Sequence, residues 1–191
     1  MLEAWVHGWT ISRNTAAPVR IPAGYRIDVG LPGHLVRYVL HQYDADLVSR
    51  QHQPHTWLKI RGEVPLDKPW QVQQLEYLMT TAALTPATPS SREVEIVRQG
   101  SVIDATVRAA DGTVAARGKA ALTGDSAMFD QIETHPQHRR RGLGRTVMSA
   151  LSAAAQHAGA TTGVLVATED GRALYTALGW TVDAPITAAR L

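Results

Sequence analysis

Gln137-His138-Arg139-Arg140-Arg141-Gly142-Leu143-Gly144-Arg145 places four arginines and two glycines at the entrance of a segment with helical apolar spacing, directly after an apolar strand ending at His135-Pro136. Glycines let a backbone pass close to a ligand, the first amides of a helix point outward unpaired, and the helix dipole favours negative charge there. Arginines add mobile counter-charge. The stretch therefore reads as a cradle for a phosphate group.

Downstream, Val147, Leu151, Ala154 and Ala158 recur at helical spacing, and Gly159 stands where a helix stop is expected. Gly163 to Ala167 reads as a buried strand and Gly171 to Leu178 as a short helix. Trp180 to Val182 reads as a last strand with a partner at Ile186 to Ala189. Upstream, a strand is expected from Ala127 to Thr134. Before it, Ile103, Ala105, Val107 and Ala109 alternate with Asp104, Thr106 and Arg108 up to Asp111-Gly112, and Val114 to Ala120 alternates again, which predicts a β-hairpin. Glu93 to Val97 is strand-like.

The proline and hydroxyl stretch Thr85-Pro86-Ala87-Thr88-Pro89-Ser90-Ser91 is the expected boundary between an N-terminal lobe, 1–85, and a second domain, 90–191. In the lobe, Gly24 to Gly30 and Thr56 to Ile60 look like strands, while Leu35 to Leu40 suits a strand or a helix. Leu2, Trp5 and Trp9 fall on one face of a short helix. His34, His41, His52 and His55 cluster in sequence, but their spacing matches no familiar ligand set, so no metal is expected. Neither an internal repeat nor a low-complexity tract is evident.

The 191 residues carry 19 basic and 17 acidic side chains, and setting the four loop arginines aside leaves 15 against 17. The sequence pI of about 9.1 thus reflects one local anion site, and nucleic-acid binding loses weight. Without cysteine there is no thiol nucleophile, disulfide or thiolate metal site. No apolar run approaches the ~20 residues that cross a bilayer. Glu3, His7 and two tryptophans stand in the first fourteen residues, where a signal peptide would be basic and then apolar. A cytoplasmic protein without membrane contact is expected, with homodimerisation left open.

The succession of hairpin, strand, glycine loop, helix, strand, helix and strand over residues 92 to 182 resembles the GCN5-related N-acetyltransferase (GNAT) family. Two blocks carry the resemblance. One is Ile132-Glu133-Thr134-His135-Pro136 running into Arg139-x-x-Gly142-x-Gly144; the other is Ala173-x-Tyr175-x-x-Leu178-Gly179-Trp180. The resemblance implies an α/β fold, with a mixed, mainly antiparallel sheet flanked by helices and an N-terminal α/β lobe.

It also implies acetyl-CoA as co-substrate. Backbone amides across Arg140, Arg141, Gly142, Leu143, Gly144 and Arg145, helped by Arg139, would hold the pyrophosphate, and the strand edge at Ile132, Glu133 and Thr134 would pair with the pantetheine arm. A backbone N–H near Glu133 or Thr134 would stabilise the reacting carbonyl oxygen, a contribution of roughly 3 kcal/mol per donor. Tyr175 matches the family's general acid. Glu133 is the preferred base and Asp130 the next, although simple alternation puts these two on opposite faces unless a bulge intervenes.

Two departures stand out. Asp170 replaces an asparagine common in the family, and the family's first helices are not evident before the hairpin, so residues 1 to 85 must replace them or form a separate lobe. The expected activity is acetyl transfer to a primary amine of a small molecule. A protein lysine or N-terminal acetyltransferase and a non-catalytic acyl-CoA-binding module are the alternatives.

Overall fold

Leu2, Trp5, Val6 and Trp9 bury one side of the first element, α1 (Leu2–Arg13), which ends at Asn14 in the left-handed conformation (φ 51°) that asparagine tolerates. In this computed structural model, residues 1–84 and 93–191 are described. The stretch read as a boundary, Thr85 to Ser91, lies outside them. After α1 come β1 (Val19–Ile21), β2 (Gly24–Leu31), β3 (His34–Leu40) and the short α2 (Ala45–Ser49), whose first turn is capped by the Asp44 carboxylate accepting from the Leu47 N–H. β4 (Thr56–Arg61), β5 (Gln71–Val72) and β6 (Glu76–Thr81) follow.

The second half contributes β7 (Glu95–Gln99), β8 (Val102–Arg108), β9 (Val114–Thr123), β10 (Ser126–Thr134) and a single 3-10 turn at Pro136–His138. Then come α3 (Leu143–His157), β11 (Thr162–Ala167), α4 (Glu169–Thr176) and β12 (Thr181–Arg190). The mixed, mainly antiparallel sheet with flanking helices is as the resemblance implies.

The strands lie in the order β1-β2-β3-β4-β12-β6-β11-β10-β9-β8-β7, with β5 beside β12. The order is nearly symmetric about its centre. In each half an antiparallel hairpin leads through a helix into a parallel strand, β3 to β4 and β10 to β11. The last strand of each half then crosses over, so that β6 pairs with β11 and β12 pairs with β4. The chain thus repeats a topology that its sequence does not display.

The end of the chain differs from the expectation of two short strands. β12 is one strand, paired with β6 at its start and with β4 at its end, with a register shift between Val182 and Ala184. Pro185 makes the stretch look like a turn, since proline is rare within a central strand; here it sits beside the irregularity, where a ladder bond is already lost.

Two layers cover the sheet. Ala127 and Phe129 of β10 pack with Leu143, Val147 and Leu151 of α3, whereas Met128 packs with Leu2, Trp5, Val6 and Trp9 of α1. The approach of α1 is close: a Cβ on Gly8 would stand 2.3 Å from Met128 Cβ. α1 thereby covers one face of the second half's strands.

A fragment starting at Ser90 should therefore fail as a soluble monomer. It would strip β6 from β11, strip both β6 and β4 from β12, and uncover Met128 and Val164. Each large side chain uncovered costs about 1.5–3 kcal/mol, against a total stability of about 5–15 kcal/mol for an ordinary domain. Size-exclusion chromatography with a dye that binds apolar surface tests this; a soluble monomeric fragment without dye binding would contradict it.

Candidate active site

β10 and β11 begin as neighbours and then part. Their parallel pairing covers Ser126 to Met128 against Thr162 to Val164, after which β11 pairs only with β6 and β10 only with β9. From Phe129 to Thr134 one edge of β10 faces an open wedge. Within that edge the β9 register slips between Asp130 and Glu133, and Gln131 takes a left-handed conformation (φ 54°). This is a β-bulge, and it resolves the alternation problem. Met128 and Asp130 face α1; the extra residue then turns Ile132 toward Val147 of α3 and Glu133 to the α1 side.

At the end of β10, Pro136–His138 makes one tight turn and the chain reaches α3 through Arg140 (φ 60°) and Gly142 (φ 77°). Gly142 is the cap residue and provides no side-chain acceptor, so the first amides of α3 are open to a ligand. Leu143 anchors the turn in the core. Among the described residues, none of Arg139, Arg140, Arg141 and Arg145 forms an ion pair; Arg141 reaches only His138 Nδ1, at 3.4 Å. Gly144 has a second reason to be small, since a Cβ there would stand 3.0 Å from Leu174 Cδ2 of α4 and 3.9 Å from Thr134 Oγ1.

A cavity of about 870 Å³ opens on the outer flank of this loop, toward Glu93, Glu95, Arg108 and Asp111. Its lining is mixed in charge, with Glu93, Glu95 and Asp111 beside Arg108, His138 and Arg141, whereas the open wedge offers the unpaired α3 amides that suit a pyrophosphate.

On the other side of the wedge, α4 is capped by Thr168, whose hydroxyl accepts from the Gly171 N–H at 3.3 Å. Glu169 and Asp170 occupy its first turn, where carboxylates are favoured by the helix dipole, which gives Asp170 a structural reason. Tyr175 lies in the core beside Trp180, with ring centroids 6.3 Å apart. Its hydroxyl makes no hydrogen bond among the described residues, and burial, aided by the negative charge of Asp130, pushes its pKa up to about 12. It carries its proton at any ordinary pH.

The two carboxylates differ. Asp130 accepts from Arg13 Nε (2.6 Å) and Nη2 (3.0 Å), from the Ser12 hydroxyl (3.2 Å) and from the Gln131 N–H (2.9 Å). So occupied, it ties α1 to the bulge. Glu133 holds Arg117 through Oε2 alone (2.8 and 3.0 Å) and is half exposed. Its Oε1 is free among the described residues.

One group of residues escaped the sequence reading. On the α1 face, His34 and Arg37 of β3, Lys59 of β4 and Glu76 of β6 approach Arg13 and Asp130 beneath Trp9 and Trp57. Lys59 pairs with Glu76. Burial lowers the pKa of Lys59 to about 8 and that of Arg37 to about 10. The available signal was a single charge inside each apolar run, Leu35-Val36-Arg37-Tyr38-Val39-Leu40 and Trp57-Leu58-Lys59-Ile60.

His34 is wedged between Trp9 and Trp57, with centroids 5.7 and 5.3 Å away. Burial first, then the charges of Arg37, Arg13 and Lys59, lower its pKa from 6.5 to about 4. The unfolded chain takes up a proton below pH 6.5 that the folded one refuses, so His34 makes the fold lose stability as pH falls from 6.5 through about 4. His34→Gln should lose less between pH 7 and pH 4 than the parent, measured by urea midpoints. An equal loss would remove His34 from the acid response.

The FR47-like protein family model matches residues 111–187, the span that holds β9, the bulged β10, the arginine-glycine loop, α3, the parted β11 and α4. The matched span is under half of the chain. A GCN5-related N-acetyltransferase from Kribbella flavida superposes with a TM-score of 0.63 at 14% identity, over 96% of this chain and 92% of that one. A GCN5-related N-acetyltransferase-like protein from Streptococcus suis gives 0.58 at 13% identity, over 81% and 79%. A tandem GNAT protein from the clavulanic acid biosynthesis pathway gives 0.52 at 13% identity, over 71% and 63%. These likenesses establish the GNAT fold. A comparison with curated proteins gives no match. No helix among the described residues is long and apolar enough to cross a membrane.

Proposed function

We propose that the protein transfers the acetyl group of acetyl-CoA to a primary amine of a small molecule within a ternary complex. The observation that carries this reading is the wedge between β10 and β11, which opens beside uncapped α3 amides and four arginines that form no ion pair among the described residues. Backbone amides from Arg140 to Arg145 would bind the pyrophosphate, and the β10 edge at Ile132, Glu133 and Thr134 would align the pantetheine arm. Acetyl-CoA supplies the activated acyl group. The bulge aims a backbone N–H near Glu133 or Thr134 at the carbonyl oxygen, where charge develops during attack.

The amine enters from the α1 face, on which Glu133 is positioned to take its proton directly or through water; Tyr175 protonates the departing thiolate. α1, β3, β4 and β6 enclose that face with Trp9 and Trp57, which favours a small acceptor over a protein, a nucleic acid or a membrane surface. Thiol release measured across amines, amino acids, aminoglycosides and peptides tests the reading. Saturable release with small amines is expected; tight acetyl-CoA binding with no release from any acceptor would overturn it.

A further inference from the structure

Arg37 is 8% exposed, yet it faces no carboxylate of its own. Its guanidinium lies 4.0 Å over the Trp9 ring, and its Nε donates to His34 Nε2 at 3.3 Å. Its two Nη groups have no acceptor among the described residues. The nearby carboxylates are committed elsewhere, Glu76 to Lys59 and Asp130 to Arg13, Ser12 and the Gln131 N–H. With His34 neutral, Arg13, Arg37 and Lys59 face only Glu76 and Asp130, so one positive charge is buried without compensation. Such a charge destabilises a fold unless something else answers it.

The place of this charge is as telling as its excess. Arg37 pairs in register with Trp57, and Val39 with Lys59, so Arg37 and Lys59 project from adjacent strands to the face that α1 covers. Trp9 carries both guanidinium groups on its ring, Arg37 at 4.0 Å and Arg13 at 5.7 Å, and Arg13 bonds Asp130 at the bulge, so the free guanidinium lies on the α1 face near the bulged strand. Trp9, His34 and Trp57 wall it closely.

We propose that Arg37 binds a carboxylate carried by the acceptor itself, so that the substrate class is a primary amine bearing a carboxylate, as in an amino acid. This rests on the acetyl-transfer reading above. With Nε engaged, the remaining Nη pair forms an end-on fork matching the two oxygens of a planar carboxylate. Lys59 adds a second positive charge on the same face. The carboxylate completes the charge balance of the cluster, and its grip holds the amine toward the bulge.

The test uses the full chain with matched pairs, the twenty standard L-amino acids and their carboxamides, read by thiol release and by thermal shift; inorganic phosphate is the control. At least one amino acid should exceed its amide in kcat/KM by about tenfold or more, the loss expected when a charged hydrogen-bond partner is removed. Arg37→Met should abolish that difference through KM and leave the ligand-free Tm unchanged or higher. Arg37→Lys, with charge but no fork, should fall between.

Equal rates on acids and amides, a preference that survives in Arg37→Met, or a marked drop in the ligand-free Tm of that variant would each overturn the proposal. Stabilisation by phosphate and not by any amino acid would overturn it too. Arg37-dependent stabilisation by amino acids without thiol release from any amine would support the carboxylate site and sink the transfer reading.

Discussion

Tyr175→Phe should lower kcat by about 10²–10⁴-fold, the range of a lost general acid, while acetyl-CoA affinity stays within about twofold. Phenylalanine keeps the ring that packs against Trp180 and removes only the hydroxyl, which makes no hydrogen bond among the described residues. Because burial pushes the tyrosine pKa up to about 12, the lost group is a proton donor throughout the working pH range. The proton is needed when the thiolate leaves, so the loss belongs to kcat. Single-turnover kinetics, with chemistry isolated from product release, provides the measurement. An unchanged rate would return Tyr175 to a packing role.

Gly142→Asp should weaken acetyl-CoA binding by on the order of 10²–10³-fold. Gly142 caps α3 with φ 77°, a conformation costly for a side chain, and no atom lies within 4 Å of a Cβ built there, so the folded protein has room for the new carboxylate. That carboxylate would share the loop with the pyrophosphate, and two like charges about 4 Å apart near a surface repel by about 4 kcal/mol. Calorimetry on the folded variant decides the matter. Undiminished affinity would move the phosphates away from this loop.

What could be read in advance depended on how local its cause was. The hairpin through Asp111-Gly112, the helix from Leu143 and the arginine-glycine loop announce themselves within ten or fifteen residues, because periodicity and glycine placement are local. β6 gives no such signal: it owes its place to pairing with Gly163–Ala167 and Thr181–Ile186, roughly a hundred residues away in sequence. The single course of β12 was hidden for the same reason, with Pro185 adding a false turn.

Within the proposed site, the loop and Tyr175 stand out in the sequence as motifs. The bulge at Gln131 was foreseeable only as a condition, since a non-glycine residue with φ 54° leaves no mark in composition. The cluster around Arg37 could not be assembled from sequence, because its members come from α1, β3, β4, β6 and β10 and meet only when the two halves share a sheet. The grouped histidines gave no signal of this cluster; His34 serves as a neutral ring between two tryptophans.

The central claim is that the wedge between β10 and β11 is an acetyl-CoA site. A crystal structure of the full chain grown with acetyl-CoA tests it most directly. It should show the pyrophosphate on the amides of residues 140–145, the pantetheine arm along Ile132–Thr134 and the thioester at the bulge beside Gln131. Density for the molecule elsewhere, or an empty wedge at saturating acetyl-CoA, would contradict the account.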